Sequence, residues 1–375
     1  MISFNTPIAV NLREVFAFMV NERAGPSSIS DAELVRRFVS GDPSMRRYVL
    51  GRNEMSRQVC ANCAMDGVID DFTSESHFCG VPVLGMSELP EDAVVVNCSL
   101  SISPITAQKK LEAAAIQGCF YYCKLAAIDD EAYPLPAISQ AFHRELRDHL
   151  HNYEHIFGML ADEESKKTML DTFQLRLSAD PSYMKGYRLR VADQYFEEFL
   201  KLEAAVSFAD IGGCDGDTTE ELLQRYPNYT TVHFFEPSLQ NLNKAKSKLS
   251  TYEVVHYYHT GVSDCKGEAL LSGEGGPSCT FSEAEGERVA VDTLDHLVAD
   301  QIDFIKMDIE GLELKALEGA RRHIADSRTK LAIAAYHKSD DIRCICDYVL
   351  GLRPNAKVYL RHYTEGSSES ILFFV

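Results

Sequence analysis

The sequence has no excess of positive charge, no apolar run long enough to cross a bilayer and no cysteine framework. Each absence removes a class of function. Lysine and arginine total 37 against 56 aspartates and glutamates, a formal net charge of −19. An acidic surface repels phosphate backbones and anionic headgroups, so neither nucleic acid nor a charged membrane is the expected partner. A membrane span needs about 20 apolar residues, and no run here approaches that. The start, MISFNTPIAVNLREVF, lacks a basic head followed by a long apolar core, so no signal peptide is expected. The 11 cysteines are an odd number, scattered through apolar runs such as VVVNCSL and QGCFYYCKL. That pattern suits buried free thiols in a reducing cytoplasm, which is the expected location. Tryptophan, internal repeats and low-complexity linkers are also absent.

What is present is the composition of a globular protein, 45% hydrophobic and 25% charged over 375 residues. At about 100–200 residues per domain, two domains are expected. Residues 1–44 read as a helical lead-in, in which AELVRRFV has helical spacing and Ser30 and Asp31 are possible caps. Residues 45–135 alternate strands (MRRYVL, GVIDD, AVVVNC, CFYYC) with helices (NEMSRQVCANCA, ITAQKKLEAAAIQG). Such alternation implies a parallel sheet, here a small Rossmann-like α/β domain. Residues 136–190 are mostly helical and read as a bridge. Residues 191–375 form a second α/β domain with seven strand candidates: VSFADI, TVHFFE, VVHYYH, DFIKMD, KLAIAAY, AKVYLRHY and SILFFV. The helix candidates between them are TTEELLQRY, SLQNLNKAKSKL, GLELKALEGARRHI and DDIRCICDYVLGL. Only the turn TEGSSE separates the last two strands, so they must pair antiparallel at the end of a parallel sheet.

Three strand ends carry candidate chemistry. In FADIGGCDGDTT a strand ends at Asp210, glycines follow at 212, 213 and 216, and a helix opens near Thr218. A glycine turn there brings backbone N–H groups to a ligand, although nucleotides, flavins and adenosyl cofactors all use one. The acids Asp210, Asp215 and Asp217 repel a pyrophosphate but suit the ammonium and sulfonium of S-adenosylmethionine. Glu236, roughly twenty residues beyond Gly216, is placed to hold ribose hydroxyls. In DFIKMDIEGLEL, Asp308 ends a strand and faces the same edge, with Glu310 a further candidate and Glu313 a weaker one that also suits a helix cap. Lys306 inside that strand needs an exit to an edge or an acidic partner, such as Asp308. In LAIAAYHKSDD, His337 ends a strand and has the intrinsic pKa of a general base for a hydroxyl acceptor, with a surface role as the rival reading. Arg361, His362 and Tyr363 either grip the acceptor or pack the last strands.

The segments FADIGGCDGDTT, FFEPS, GVSDCKGE, VAVDTLD, DFIKMDIEGLELKALEGA and LAIAAYH, in this order, resemble the FkbM family of methyltransferases over about Gln194 to Val375. The resemblance implies a class I methyltransferase fold, a seven-stranded mostly parallel sheet with the last strand antiparallel. It implies S-adenosyl-L-methionine as cofactor and O-methylation, often of sugars in polysaccharides or secondary metabolites. By match to its motifs, Asp210, Gly212 and Gly216 hold the methionine portion, with Gly213 and Asp215 in the same turn. Glu236, followed by Pro237, holds the ribose, Ser263 and Asp264 lie near the adenine, and Asp308 lies near the methyl group. The expected catalytic set is Asp308, His337 and Glu310.

The first α/β domain resembles the leader of some two-domain relatives. Its turn runs Gly51, Asn53, Ser56 and lacks the second glycine a pyrophosphate needs, so no tight dinucleotide site is expected beside Asp70 and Asp71. No metal is expected. Cys60 and Cys63, with His77 and Cys79, read as thiols of a buried helix face, and a divalent ion at Asp308 and Glu310 is a lesser alternative. Two other readings stay open: a dinucleotide-dependent oxidoreductase, and a cofactor-binding scaffold without turnover. The expected partner is a small-molecule or glycan acceptor.

Overall fold

The computed structural model describes residues 29–272, 280–282 and 286–375. The chain divides into two compact units. The first takes in the described residues up to His155 together with Met169–Leu189 and Thr364–Ser367; the second holds Ile156–Thr168, Arg190–Tyr363 and Ser368–Val375. The helical stretch after residue 136 is divided between the two. No helix among the described residues is long and apolar enough to cross a membrane, and the cysteines among them are free.

In the first unit the elements are α1 (Ile29–Ser40), β1 (Arg46–Leu50), α2 (Glu54–Asn62), β2 (Gly67–Ile69), β3 (His77–Phe78), β4 (Val81–Leu84), β5 (Ala93–Asn97), α3 (Pro104–Ala113), β6 (Gly118–Tyr121) and α4 (Cys123–Ala126). Ser30 and Asp31 fall inside α1 instead of capping it, and the lead-in before Ile29 lies outside the described residues. The sheet order is β3-β4-β2-β1-β5-β6, parallel except for the β3–β4 pair. Val94, Val95 and Val96 are fully buried, as a central parallel strand covered on both faces requires. Strands β3 and β4 were not expected. They are two and four residues long and edge the sheet, too short for a period to register. Helices α5 (Ala137–Asp148), α6 (Leu150–Met159) and α7 (Glu163–Ser178) follow.

The second unit holds β7 (Ser207–Ile211), α8 (Asp217–Arg225), β8 (Thr231–Phe235), α9 (Leu239–Lys248), β9 (Val255–Tyr258), β10 (Gly261–Val262), β11 (Gly267–Ser272), β12 (Thr280–Ser282), β13 (Glu287–Asp292), α10 (Leu294–Leu297), β14 (Phe304–Met307), α11 (Glu313–Glu318), α12 (Arg321–Ala325), β15 (Lys330–Ala334), α13 (Asp341–Leu352), β16 (Val358–His362) and β17 (Ser370–Phe374). The seven expected strands form one sheet in the order β16-β17-β15-β14-β7-β8-β9. Only β17 runs against the rest, pairing antiparallel with β15 and β16. Strands β7, β14 and β17 are buried at every position, and Phe208 of β7 stacks on Phe304 of β14 with centroids 5.2 Å apart.

Two features depart from expectation. Between Gly261 and Asp292 the described residues carry a second small sheet, ordered β10-β13-β11-β12, in which β11 and β13 are partly exposed and lack a strong apolar run. The segment GLELKALEGARRHI is two short helices, broken around Gly319. A Cβ there would lie 1.9 Å from the Ser263 carbonyl oxygen, so the backbone approaches closely at the break.

Candidate active site

The strand order reverses between β7 and β14, because β7–β8–β9 run one way from that point and β14–β15 the other. In open α/β sheets, ligands bind where the order reverses, at the carboxyl ends of the strands. Gly212 follows β7 with φ +79°, and a Cβ on it would stand 2.0 Å from the Asp308 carbonyl oxygen after β14. Both the left-handed backbone and the contact require glycine. The Gly212 and Gly213 N–H groups donate to the Phe235 carbonyl, each at 3.1 Å. Gly216, at φ +91°, starts α8.

Asp210 has no exposed surface. One carboxylate oxygen lies 3.0 Å from Lys306 Nζ, and the other accepts from Thr219 Oγ1 at 2.7 Å. Lys306 Nζ also donates to the Gly212 carbonyl at 2.7 Å. Lys306 therefore takes an acidic partner instead of an exit to an edge, and the close one is Asp210, across the strand pair, not Asp308. Burial pulls the Lys306 ammonium down, but Asp210 and Asp308 outweigh it and its pKa is raised. Asp210 thus fixes the glycine turn through Lys306 and does not itself face the crevice. Replacing Lys306 with methionine leaves a buried carboxylate alone. We expect a loss of about 3–5 kcal/mol of unfolding free energy in denaturant melts; a loss under 1 kcal/mol would show the pair is not holding the turn.

Glu236 reaches the same turn from β8. It is 5% exposed and accepts from the N–H groups of Cys214 (2.9 Å) and Ser238 (2.8 Å). The Asn241 side chain also bonds this carboxylate, so about one of its roughly four lone-pair directions stays open to a hydroxyl. Burial raises its pKa against those hydrogen bonds. Pro237 is half-buried beside it. Asp215 is paired with Lys248 at 2.9 Å, and the same ammonium contacts Asp217. The repulsion of a pyrophosphate by three acids at the turn is weaker than expected: Lys306 pairs with Asp210 and a single Lys248 serves both Asp215 and Asp217, which leaves one excess negative charge there besides Glu236. Ser263 donates to the exposed Asp264 at 3.0 Å.

The turns after β14 and β15 gather a second cluster. Asp308 accepts from Tyr195 Oη at 2.8 Å and lies 3.4 Å from Tyr336 Oη and 3.5 Å from His337 Nε2. Glu310, at φ +57°, places a carboxylate 3.7 Å from the same His337 nitrogen. Glu313 is 1% exposed; its Oε1 accepts from Ile309 and Gly311 N–H groups (2.9 and 3.3 Å) and lies 3.1 Å from His337 Nδ1. Burial lowers the His337 pKa, but the Glu313 bond and the charges of Glu313, Asp308 and Glu310 outweigh it, and the pKa is pushed up to about 9. His337 is thus an imidazolium at neutral pH, which corrects the expectation that its ordinary pKa makes it a ready base. Asp308, Glu313 and His337 offer ligand atoms within 4.8 Å of one another, a spacing that accommodates a divalent ion.

Sequence reading missed three members of this cluster. Tyr195 and Tyr336 press on Asp308, and Glu369 accepts from Gln194 Nε2 (2.7 Å) and Tyr336 Oη (3.3 Å). Burial, then the Asp308 charge, raises the Glu369 pKa. Tyr195 has no motif around it. Glu369 had a signal in topology: an antiparallel last strand begins at the edge where its parallel neighbours end. The last residues of β16 and the one after it face inward. Arg361 forks onto Asp162 (2.6 and 3.2 Å), His362 bonds Ser370 (2.9 Å) and Tyr363 donates to Glu197 (2.7 Å).

In the first unit the possible nucleotide residues have internal partners. The Asn53 side chain accepts from Ser56 N–H, forming a capping box at the start of α2, and Asp70 pairs with Arg52 at 2.7 Å. The main-chain N–H of Met86 donates to Asp71 at 2.8 Å. Cys63, at the end of α2, lies 3.0 Å from Tyr133 Oη.

Residues 210–353 match the family model described as the methyltransferase FkbM domain. No curated protein matches the chain. Among solved structures, a methyltransferase FkbM from Methylobacillus flagellatus KT is 22% identical, with a TM-score of 0.72 over 97% of this chain and 98% of that one. At that identity the likeness speaks to fold. Two more distant structures reach TM-scores of only 0.32 and 0.30. One is an rRNA methylase from Streptococcus thermophilus, 18% identical over 47% of this chain and 91% of that one. The other is a fibrillarin from Aeropyrum pernix with natively bound S-adenosyl-L-methionine, 12% identical over 46% of this chain and 66% of that one.

Proposed function

We propose that this chain, a methyltransferase by the FkbM domain it carries at residues 210–353, takes its methyl group from S-adenosylmethionine and delivers it to a hydroxyl of a sugar or related metabolite. The observation that carries this reading is the crevice at the sheet reversal, where Gly212 closes on Asp308 and Glu236 presents a buried carboxylate that is not fully used by its Cys214, Ser238 and Asn241 bonds. Those residues fit an adenosyl cofactor: a ribose hydroxyl would donate to Glu236, and a cationic sulfur and ammonium favour an edge whose uncompensated charge is negative. When bound, the cofactor supplies an electrophilic methyl group. The chain's part is to position the acceptor and take its proton. His337, once neutral, presents Nε2 beside Asp308, while Glu313 fixes the ring from the Nδ1 side. The paired acids at Asp215 and Asp217 weaken one argument against a dinucleotide, but the family match favours methyl transfer over hydride transfer.

Incubating the full chain with methyl-labelled S-adenosylmethionine and a saccharide extract, then locating the label by mass spectrometry, tests the reaction. Label on a hydroxyl oxygen is expected; label on nitrogen or carbon contradicts the acceptor class. Glu236→Ala should weaken S-adenosylmethionine binding about 10- to 100-fold, through lost charged hydrogen bonds of about 1.5–3 kcal/mol. Wild-type affinity in a calorimetric titration would remove Glu236 from the cofactor set.

A further inference from the structure

Resting on that reading, we propose that the acceptor carries a negative group of the phosphate or carboxylate type, received in a cavity beside His337 by Lys315, Lys338 and Arg288. The second unit has a cavity of about 670 Å³ between the small sheet and the turn after β14, within the range of small-ligand sites. Its lining includes Ser263, Arg288, Glu310, Gly311, Lys315 and Lys338. None of Gly212, Gly213, Asp215 or Glu236 lines it, so it lies apart from the glycine turn, although it shares Ser263 with the expected adenine end of the cofactor site. It adjoins the reaction centre through Glu310, whose carboxylate is 3.7 Å from His337 Nε2, itself 3.5 Å from Asp308. A hydroxyl entering from this cavity therefore reaches the His337–Asp308 pair.

The charge of the lining runs against that of the chain. Three cations stand there against the carboxylates of Glu268 and Glu310, whereas the whole chain has 37 basic to 56 acidic residues. Arg288 is engaged by Glu268 at 3.2 Å. Lys315 and Lys338 form no ion pair found among the described residues. The Lys338 stem lies over Gly311, where a Cβ would stand 3.1 Å from its Cε, so the stem is held at the floor of the cavity. Lys315 is the third residue of α11 and lies near Asp264, whose pKa is lowered first by the Ser263 bond and also by that lysine. Two ammonium groups with no ion pair among the described residues, Lys315 having only Asp264 nearby, repel a sulfonium and attract an anion. The cavity thus selects an acceptor whose charged group sits apart from the hydroxyl that receives the methyl.

The test is saturation-transfer NMR on the full chain with S-adenosylhomocysteine, offering glucose 6-phosphate, glucuronate and glucose separately, beside the double variant Lys315→Glu, Lys338→Glu. Charged sugars should give contact signals that glucose does not, and the variant should weaken them about tenfold or more. A phosphate-only signal assigns a phosphorylated acceptor, a glucuronate-only signal a uronate, and both a general anion site. Equal signals from all three sugars, no signal from any, or signals unchanged in the variant overturn the proposal. Failure of S-adenosylhomocysteine to bind, measured separately, would count against the cofactor reading and not against the cavity.

Discussion

Gly212→Ala should abolish detectable cofactor binding. An alanine Cβ at this position meets the Asp308 carbonyl oxygen at 2.0 Å, on a backbone at φ +79°. The left-handed conformation costs an L-residue about 1–2 kcal/mol, and the collision adds an overpacking cost of about 1–3 kcal/mol. Neither strain relaxes without separating the turns after β7 and β14, which are the two walls of the crevice. Affinity should fall more than about 100-fold, with a lower melting temperature of the second unit. A variant that binds S-adenosylhomocysteine like the wild type would mean that the two turns need not touch for the site to form.

His337 should impose a rising pH profile. A base must be neutral, and His337 sheds its proton only near pH 9. The rate constant kcat/KM should climb about tenfold per pH unit from neutrality and level near 9, and His337→Ala should lower kcat about 10²- to 10⁴-fold and flatten the profile. A sulfonium beside the ring favours the neutral form, so kcat should level at a lower pH than kcat/KM. The stability sign is opposite. A histidine whose folded pKa is raised from 6.5 to about 9 stabilises the fold fully below pH 6.5, and that stabilisation is lost as pH rises through about 9. The full contribution is roughly 3 kcal/mol. The protein should therefore become faster and less stable over the same window. Rates flat from pH 7 to 9, with full turnover in His337→Ala, would leave His337 a structural cation among carboxylates.

Much of the fold was legible because the central strands of the second unit, such as SFADI and SILFF, are apolar runs buried at every position, the mark of strands covered on both faces. The short TEGSSE turn dictated the antiparallel β17. The small sheet was not legible: GEALLS and ERVAVD are half-exposed and pack on one side only. Within the site, the glycine turn, Glu236, Asp308, Glu310 and His337 were legible as ends of strands at one edge. The partners were not. Sequence gives no distance between Lys306 and Asp210, which are 96 positions apart yet 3.0 Å in space, and only the β7–β14 register, which sets them opposite each other, reveals the pair. Nor does it show that three carboxylates converge on one imidazole, which reverses the charge state expected of a lone histidine.

On the proposed reading, the crevice between Gly212 and Asp308, with Glu236 at its side, belongs to an adenosyl-sulfur cofactor. Calorimetric titration of the full chain with S-adenosylhomocysteine and, separately, with NAD decides it. One-to-one binding of S-adenosylhomocysteine that Glu236→Ala weakens, with no heat from NAD, is the predicted result; saturable binding of NAD with none of S-adenosylhomocysteine would contradict it.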